Sequence, residues 1–276
     1  MTDVHVGGSS MKVAVGQFAA GLDKRANLER ISTLSEEAAR AGARLVVFPE
    51  GAMHTFGELT DDLSPAAESL DGRFVSELSR LATRLRLTLV AGMFEAIPGD
   101  RHIYNTAVVV DPQRGIVASH RKRYLYDAFG EKESDRMLAG TEDLPLVEVE
   151  GFSVAVAICY ELRFPSFIQQ AADAGADVLA LPAAWVAGPL KEDHWAVTVR
   201  SRAIENTMYV AGAGMTGPGY CARSMIVDPL GVVVAGLAEA EGVTVSEVSK
   251  ERLAKARARL PVVAQRRVAA KVTTRP

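Results

Sequence analysis

Three side chains of complementary chemistry stand at the ends of predicted strands in this sequence. Cys159 follows the apolar run of residues 152–158, and Glu50 and Lys122 also follow strand-like stretches. A thiol with its ordinary pKa of about 8.5 is mostly protonated at neutral pH and needs help to attack. A carboxylate can take its proton, and an ammonium can stabilise the thiolate and a tetrahedral oxyanion. If the three groups meet, they can carry out covalent acyl transfer: thiol attack, loss of ammonia or an amine, and hydrolysis of a thioester.

The segment around Cys159 favours a rigidly held nucleophile. Residues 152–158 are apolar or small throughout, as in a strand buried on both faces of a sheet, and a polar turn then leads to a predicted helix over residues 166–174. The backbone N–H of Tyr160 is predicted to donate a hydrogen bond to the oxyanion. The alternative is that Cys159 is a small apolar core residue, as free cysteines usually are. Only its surroundings decide between the two.

The strands that precede the three residues predict that they meet. In open α/β sheets, ligands bind in the crevice at the carboxyl ends of the strands. A single charged residue at a strand end is ordinary and usually solvated. A carboxylate, an ammonium and a thiol at the ends of three separate strands instead indicate one reactive site.

Strands and helices alternate in both halves of the sequence, which predicts an α/β layered sandwich of mixed sheets. Predicted strands cover residues 12–18, 45–49, 88–94, 104–111, 116–121, 152–158, 177–182, 208–213, 224–228, 232–235 and 243–248. Predicted helices cover residues 27–41, 72–84, 166–174, 193–206 and 250–259. A long irregular stretch over residues 124–145 separates the halves, and loops of that length in a compact domain tend to be functional.

Length and composition favour one enzyme-sized domain. The chain has 276 residues and is 48% hydrophobic, and no low-complexity linker interrupts it. We expect a disordered extension over residues 1–10 and a single domain over residues 11–248. Residues 249–276 are predicted to be a C-terminal helix and basic tail that contribute to an oligomer interface.

Charge and patterning argue against several functional classes, and we expect none of them. With 31 basic and 34 acidic residues the net charge is −3, which argues against a nucleic-acid partner. No apolar run is long enough to span a membrane. Two cysteines are too few for a disulfide framework, so we expect a cytoplasmic protein. The five histidines lack metal-ligand spacing, and we expect neither a metal nor an organic cofactor.

The motifs around the three residues resemble the nitrilase superfamily of carbon–nitrogen hydrolases, with the Nit-type amidases as the nearest branch. They read Phe-Pro-Glu up to Glu50, His-Arg-Lys up to Lys122, and Ile-Cys-Tyr-Glu-Leu-Arg-Phe-Pro around Cys159. The resemblance implies a four-layer αββα sandwich of two mixed sheets flanked by helices, assembled as a homodimer or higher homo-oligomer. It also implies that Glu50 is the general base, Lys122 the oxyanion stabiliser and Cys159 the nucleophile.

Further site residues follow from the same resemblance. The second catalytic glutamate of the family falls on Glu133, with Glu131 as the alternative two residues away. Trp185 falls near the pocket mouth, although it can equally be a packing residue. Tyr124 stands beside Lys122 where relatives carry other residues. Arg163 can bind a substrate carboxylate or brace the turn after Cys159.

The predicted function is that of an amidase which cleaves a small carboxamide, such as an ω-amide of an acidic metabolite, through a cysteine thioester and releases ammonia. Nitrile hydrolysis and N-carbamoyl hydrolysis at the same site are alternatives. A catalytically inactive family member that serves as a binding scaffold is a third. The family's usual aspartate after Cys-Tyr is Glu161 here.

Overall fold

A computed structural model describes residues 9–58 and 60–266 of the chain. The twelve strands are β1 (Ser10–Gln17), β2 (Leu45–Val47), β3 (Thr88–Ala96), β4 (Ile103–Asp111), β5 (Gly115–Arg121), β6 (Leu146–Val149), β7 (Phe152–Val156), β8 (Val178–Ala183), β9 (Tyr209–Gly214), β10 (Met225–Val227), β11 (Val233–Gly236) and β12 (Gly242–Ser249). The five α-helices are α1 (Lys24–Arg40), α2 (Arg73–Leu85), α3 (Pro165–Asp173), α4 (Lys191–Asn206) and α5 (Lys250–Arg259). Short 3₁₀ turns cover Ser64–Ala66, Glu133–Asp135 and Cys159–Arg163.

The strands form two six-stranded mixed sheets, as the resemblance implied. Their orders are β12-β1-β2-β3-β4-β5 and β11-β10-β9-β8-β7-β6. Parallel pairs occupy the centre of each sheet: β1 with β2 and β2 with β3 in one, and β7 with β8 and β8 with β9 in the other. In each sheet, the carboxyl ends of the central parallel strands therefore lie at the same edge, where the side chains that follow them can meet.

Alternating side chains on the central strands build the layers. On β1, Val13 and Val15 pack into the core shared with the second sheet, whereas Ala14 packs into the core beneath α1 and α2. Because both faces of the strand are buried at its centre, residues 13–15 are all apolar. α3 and α4 cover the outer face of the second sheet, with Phe167 and Trp195 fully buried there. The result is the predicted four-layer αββα sandwich.

Several details differ from the sequence-based expectations; α1, for example, begins at Lys24, three residues before the expected start at residue 27. β6 was missed, because its four residues at the sheet edge alternate between exposed and buried and look like the end of an irregular stretch. α4 begins at Lys191, two residues before the expected start at residue 193. Among the residues that the structure describes, no helix is long and apolar enough to cross a membrane.

The chain ends are described only in part. β1 begins at Ser10, inside the expected N-terminal extension, and residues 1–8 of that extension lie outside the described ranges. The predicted C-terminal helix is present as α5, with Leu253 and Ala256 buried, and residues 267–276 of the basic tail again lie outside the described ranges. The division of the chain into extension, domain and tail stays a prediction.

Candidate active site

The structure brings the three sequence-predicted residues together at one end of the two sheets. Glu50 lies just beyond β2, Lys122 directly follows β5, and Cys159 opens the 3₁₀ turn after β7. They are buried, with exposed fractions of 2%, 2% and 7%, and all three line one cavity. Two of the strands belong to one sheet and the third to the other, so the site lies across the interface of the sandwich.

Lys122 is held between two carboxylates. Its Nζ donates to Glu50 Oε1 at 2.7 Å and to Glu133 Oε2 at 2.8 Å. Burial by itself would lower the pKa of Lys122, but the negative charges of Glu133 and Glu50 outweigh it and raise the pKa above its ordinary value. Lys122 is therefore a permanent cation, suited to stabilise negative charge rather than to exchange protons.

Glu133, and not Glu131, is the second glutamate that contacts the lysine. Besides Lys122, the Glu133 carboxylate accepts from the backbone N–H of Tyr126 at 2.6 Å, which fixes the start of the loop. Glu131 lines the same cavity but makes no ion pair with Lys122. The short 3₁₀ turn at Glu133–Asp135 explains the difference, because it turns Glu133 inward.

The Glu50 carboxylate has a defined orientation. One oxygen accepts from Lys122 and from Asn105 Nδ2 at 2.8 Å, and the other accepts from the backbone N–H of Ala184 at 2.8 Å. Asn105 also donates to Glu133 at 2.9 Å and so links both carboxylates. Gly92 makes room for this arrangement, since a Cβ there would lie 1.6 Å from the Glu50 carbonyl oxygen.

Cys159 adopts a strained backbone conformation at the strand–turn junction. Its φ of 42° lies in the left-handed region, which a non-glycine residue adopts at a cost of about 1 kcal/mol or more. Burial raises the pKa of the thiol well above its ordinary value, the nearby Glu50 carboxylate raises it further, and Lys122 opposes both. The thiol is thus mostly protonated beside a carboxylate that can take its proton.

The buried Glu161 carboxylate ties the nucleophile's turn to the lysine's strand. It accepts from the backbone N–H of Ile158 at 2.7 Å, from the N–H of Arg123 at 2.7 Å, and contacts His120 Nε2 at 2.9 Å. The first lies next to Cys159, and the other two flank Lys122. The departure from aspartate to glutamate in the sequence therefore occurs at a positioning residue with no exposed surface.

The backbone N–H of Tyr160 is available near the thiol. Within the 3₁₀ turn, the first internal hydrogen bond runs from Glu161 N to Ile158 O, so the N–H of Tyr160 precedes the bonded part of the turn. Such free N–H groups at the start of a turn suit an oxyanion.

The cavity has a volume of about 410 Å³. Trp185 and Arg163, two of the candidate substrate-binding residues, line it. Tyr124 does not: its ring stacks on Phe164 with centroids 3.9 Å apart and lies edge-on to Phe167. The chain bends directly after Lys122, so Tyr124 turns to the packed side and its contacts are those of a packing residue.

Asn105, Lys191 and Arg136 are among the polar residues of the cavity region that sequence reasoning did not single out. Asn105 is a fully buried amide within the mostly buried strand β4, a signal that could have been noticed. Lys191 and Arg136 line the cavity but stand in a loop or at a helix start, where charged residues are common. Across residues 9–58 and 60–266, His, Cys, Asp and Glu side chains form no group that could hold a metal ion.

Comparison with known proteins agrees with this geometry. Residues 12–258 match the carbon–nitrogen hydrolase family. A deaminated glutathione amidase of Escherichia coli O157:H7 is 39% identical over 260 residues, which cover 94% of this chain and 98% of the relative. The deaminated glutathione amidase of Rattus norvegicus is 34% identical, covering 92% and 82%. The crystal structure of Saccharomyces cerevisiae Nit3, a member of branch 10 of the nitrilase superfamily, superposes with a TM-score of 0.83 at 28% identity, covering 94% and 97%.

Proposed function

The chain belongs to the carbon–nitrogen hydrolase family, and from that premise we propose that it is an amidase acting on a small carboxamide through a thioester on Cys159. The observation that carries the proposal is the ammonium of Lys122, held between two carboxylates next to a thiol on an open cavity. A binding protein gains nothing from burying such a constellation, which costs desolvation free energy.

In the first half-reaction, the sulfur of Cys159 attacks the amide carbon while Glu50 takes the thiol proton. The carbonyl oxygen becomes an oxyanion, which accepts hydrogen bonds from Lys122 and from the N–H of Tyr160. As the C–N bond breaks, Glu50 returns the proton to the leaving nitrogen, and ammonia or an amine departs. Coupling proton transfer to attack removes the need for a thiolate in the resting enzyme, where the pKa of the thiol is raised.

In the second half-reaction, water attacks the thioester carbon. Glu50 accepts a proton from that water, the same donors stabilise the second oxyanion, and collapse of the intermediate breaks the C–S bond. The sulfur recovers its proton from Glu50, and the carboxylic acid is released. Glu133 keeps Lys122 oriented through both halves, with Asn105 joining the two carboxylates.

The names of the relatives suggest where to look for the substrate. We propose an ω-amidase-like activity on carboxamides that carry an acidic group, with deaminated glutathione as the first candidate. Its scissile amide is secondary, so its leaving group would be an amine, whereas a primary ω-amide would release ammonia.

The test is a panel of primary ω-amides, deaminated glutathione, nitriles and N-carbamoyl compounds, assayed for ammonia, amine, carboxylic acid and carbon dioxide. Amide hydrolysis that is lost in Cys159→Ala supports the proposal. Preferential turnover of nitriles, or release of carbon dioxide from N-carbamoyl compounds, would replace it with one of the two alternative reactions. No turnover across the whole panel would favour the inactive scaffold.

We also propose that the protein acts as a homodimer or a higher homo-oligomer in the cytoplasm. Apolar side chains of α4 and of the segment before and within β11 are exposed: Val197, Ile204, Val232, Val233 and Val234. Exposed apolar side chains mark an interface when they form one patch, and we propose that these five do so. Light scattering on the purified protein tests the assembly, since a monomer at micromolar concentration would contradict it.

A further inference from the structure

A second buried lysine lines the cavity without a carboxylate partner. Lys191, the first residue of α4, is only 6% exposed. Its Nζ donates to the hydroxyl of Tyr126 at 2.9 Å and lies 3.4 Å from the ring centroid of Phe129. Among the described residues it makes no ion pair. In direct contact, its charge is met by a neutral hydroxyl and by aromatic rings, and the carboxylate of Glu131 acts on it only from beyond ion-pair distance.

Arg163 brings a second unpaired cation to the same place. It closes the 3₁₀ turn that begins at Cys159, and its guanidinium lies 4.5 Å from the ring centroid of Trp185. Its Nη2 is 3.3 Å from His194 Nδ1, and its buried Nε has no hydrogen-bond partner. No carboxylate within the described ranges pairs with it. Arg163 and Lys191 also share the ring of Phe129.

This arrangement is unfavourable for stability as it stands. Burial lowers the pKa of Lys191, and the neighbouring positive charge of Arg163 lowers it further. The position at the start of α4 adds to the cost, because the helix dipole disfavours a cation at its N-terminus. A neutral side chain of similar size would avoid all three penalties. Only a hydroxyl, an imidazole and aromatic rings contact the two cations, and no carboxylate of the described residues forms an ion pair with either of them to offset these penalties.

A third cavity cation, Arg136, shows the contrast. Its Nη1 donates to the carbonyl oxygens of Phe56 and Glu58 at 3.0 and 2.9 Å, which fastens the loop at the cavity edge. Backbone contacts therefore account for Arg136. Lys191 and Arg163 have no comparable role, and both face the cavity that holds Cys159.

We propose that Lys191 and Arg163 together bind a carboxylate of the substrate, so that the enzyme selects amides whose far end is anionic. This inference rests on the proposed amidase function and adds the residues that choose the substrate class. A carboxylate between the two cations would neutralise both charges, and the fork of Arg163 offers the geometry that carboxylates prefer. The aromatic rings around them exclude water and strengthen the attraction.

The experiment compares two substrates that differ only at the far end. Glutaramate carries a carboxylate there, and glutaric diamide carries a neutral carboxamide of the same size. Lys191→Met should raise KM for glutaramate about ten- to a hundredfold, the range for losing a hydrogen bond to a charged group, and change KM for the diamide less than threefold. Lys191→Arg should recover most of the loss. Lys255→Met on the exposed side of α5 is the matched control and should change neither substrate.

Equal losses for both substrates, or no loss for either, would overturn the inference while leaving amidase activity intact. A binding measurement keeps the inference testable even if neither compound is turned over. Calorimetry of glutaramate with Cys159→Ala, compared with Cys159→Ala/Lys191→Met, should show a Kd about ten- to a hundredfold weaker in the double variant. Equal Kd values would contradict the carboxylate site. If the wild-type protein binds glutaramate but turns over no amide, the result would instead count against the proposed function alone.

Discussion

Two buried lysines of one cavity differ in what surrounds their charge. Lys122 contacts two carboxylates, which raise its pKa, whereas Lys191 contacts a hydroxyl and aromatic rings, and its pKa is lowered by burial and by Arg163. The positive charge of Lys122 is balanced by carboxylates before any substrate binds. The charge of Lys191 has no carboxylate in contact with it. The difference indicates that a fully compensated charge serves the chemistry common to every substrate, and an uncompensated one serves recognition.

The comparison predicts its largest effect at Lys122. Lys122→Met leaves Glu50 and Glu133 buried together without their cation, so the free energy of unfolding should fall by about 3–5 kcal/mol. The kcat should fall by at least about 10²–10³-fold, because an oxyanion donor is lost. Denaturant titration and single-turnover kinetics measure the two effects. Lys122→Met with unchanged stability would show that the carboxylates do not depend on the lysine.

Gly92→Ala should disturb the contacts around Lys122 by displacing Glu50. A methyl group there would overlap the backbone carbonyl of Glu50. The backbone of Glu50 must therefore shift, and its side-chain carboxylate moves away from Lys122 and Cys159. We expect kcat to fall about 10²-fold, since small misplacements of catalytic groups cost that much. KM for glutaramate should change little, because Lys191 and Arg163 lie on other elements. A change confined to KM would mean that Gly92 acts on the substrate site instead.

A smaller, pH-resolved effect is expected from Glu50→Gln. Burial raises the pKa of Cys159 and the charge of Glu50 raises it further, so removing that charge must lower the thiol pKa. Alkylation by iodoacetamide requires the thiolate, and its rate should therefore reach half of its maximum at a lower pH in the variant. Cys221 provides an internal control. Burial raises its pKa to about 12, and Glu50 is not among the charges that act on it. An unchanged or higher midpoint at Cys159 would contradict the arrangement.

The smallest effect should be the stability of Lys191→Met. No ion pair is lost and an unpaired buried charge is removed, so the melting temperature should stay the same or rise by a few degrees. Thermal denaturation without substrate measures it, with Lys255→Met as the reference. A clear fall would mean that Lys191 is needed by the fold, and the contrast between the two lysines would disappear.

The residues that sequence reasoning found and missed follow the same division. Glu50, Lys122 and Cys159 were predictable because each follows a regular strand, and strand ends meet where sheets are layered. Lys191 was not predictable from the sequence. Its proposed role depends on the absence of a carboxylate in contact with it, and no local sequence pattern indicates such an absence. Tyr124 was predicted to bind substrate from its closeness to Lys122, but the chain bends after β5 and strand alternation no longer applies.

Asn105 and Glu161 show a second limit. Each connects groups that are far apart in the chain: Asn105 joins Glu50 to Glu133, and Glu161 joins the turn at Cys159 to the strand end at Lys122. Periodicity predicts that β4 is buried, yet it does not indicate which polar atoms accept hydrogen bonds from the side-chain amide of Asn105. The layered architecture was therefore predictable from patterning and resemblance, whereas the hydrogen bonds that orient the site required coordinates.

The central claim is that Cys159 carries the acyl group, and acid quenching of the enzyme during turnover of an amide tests it directly. Peptide mapping by mass spectrometry should then locate the substrate's acyl group on Cys159 and leave Cys221 unmodified. An acyl group on any other side chain, or continued turnover by Cys159→Ala, would contradict the account.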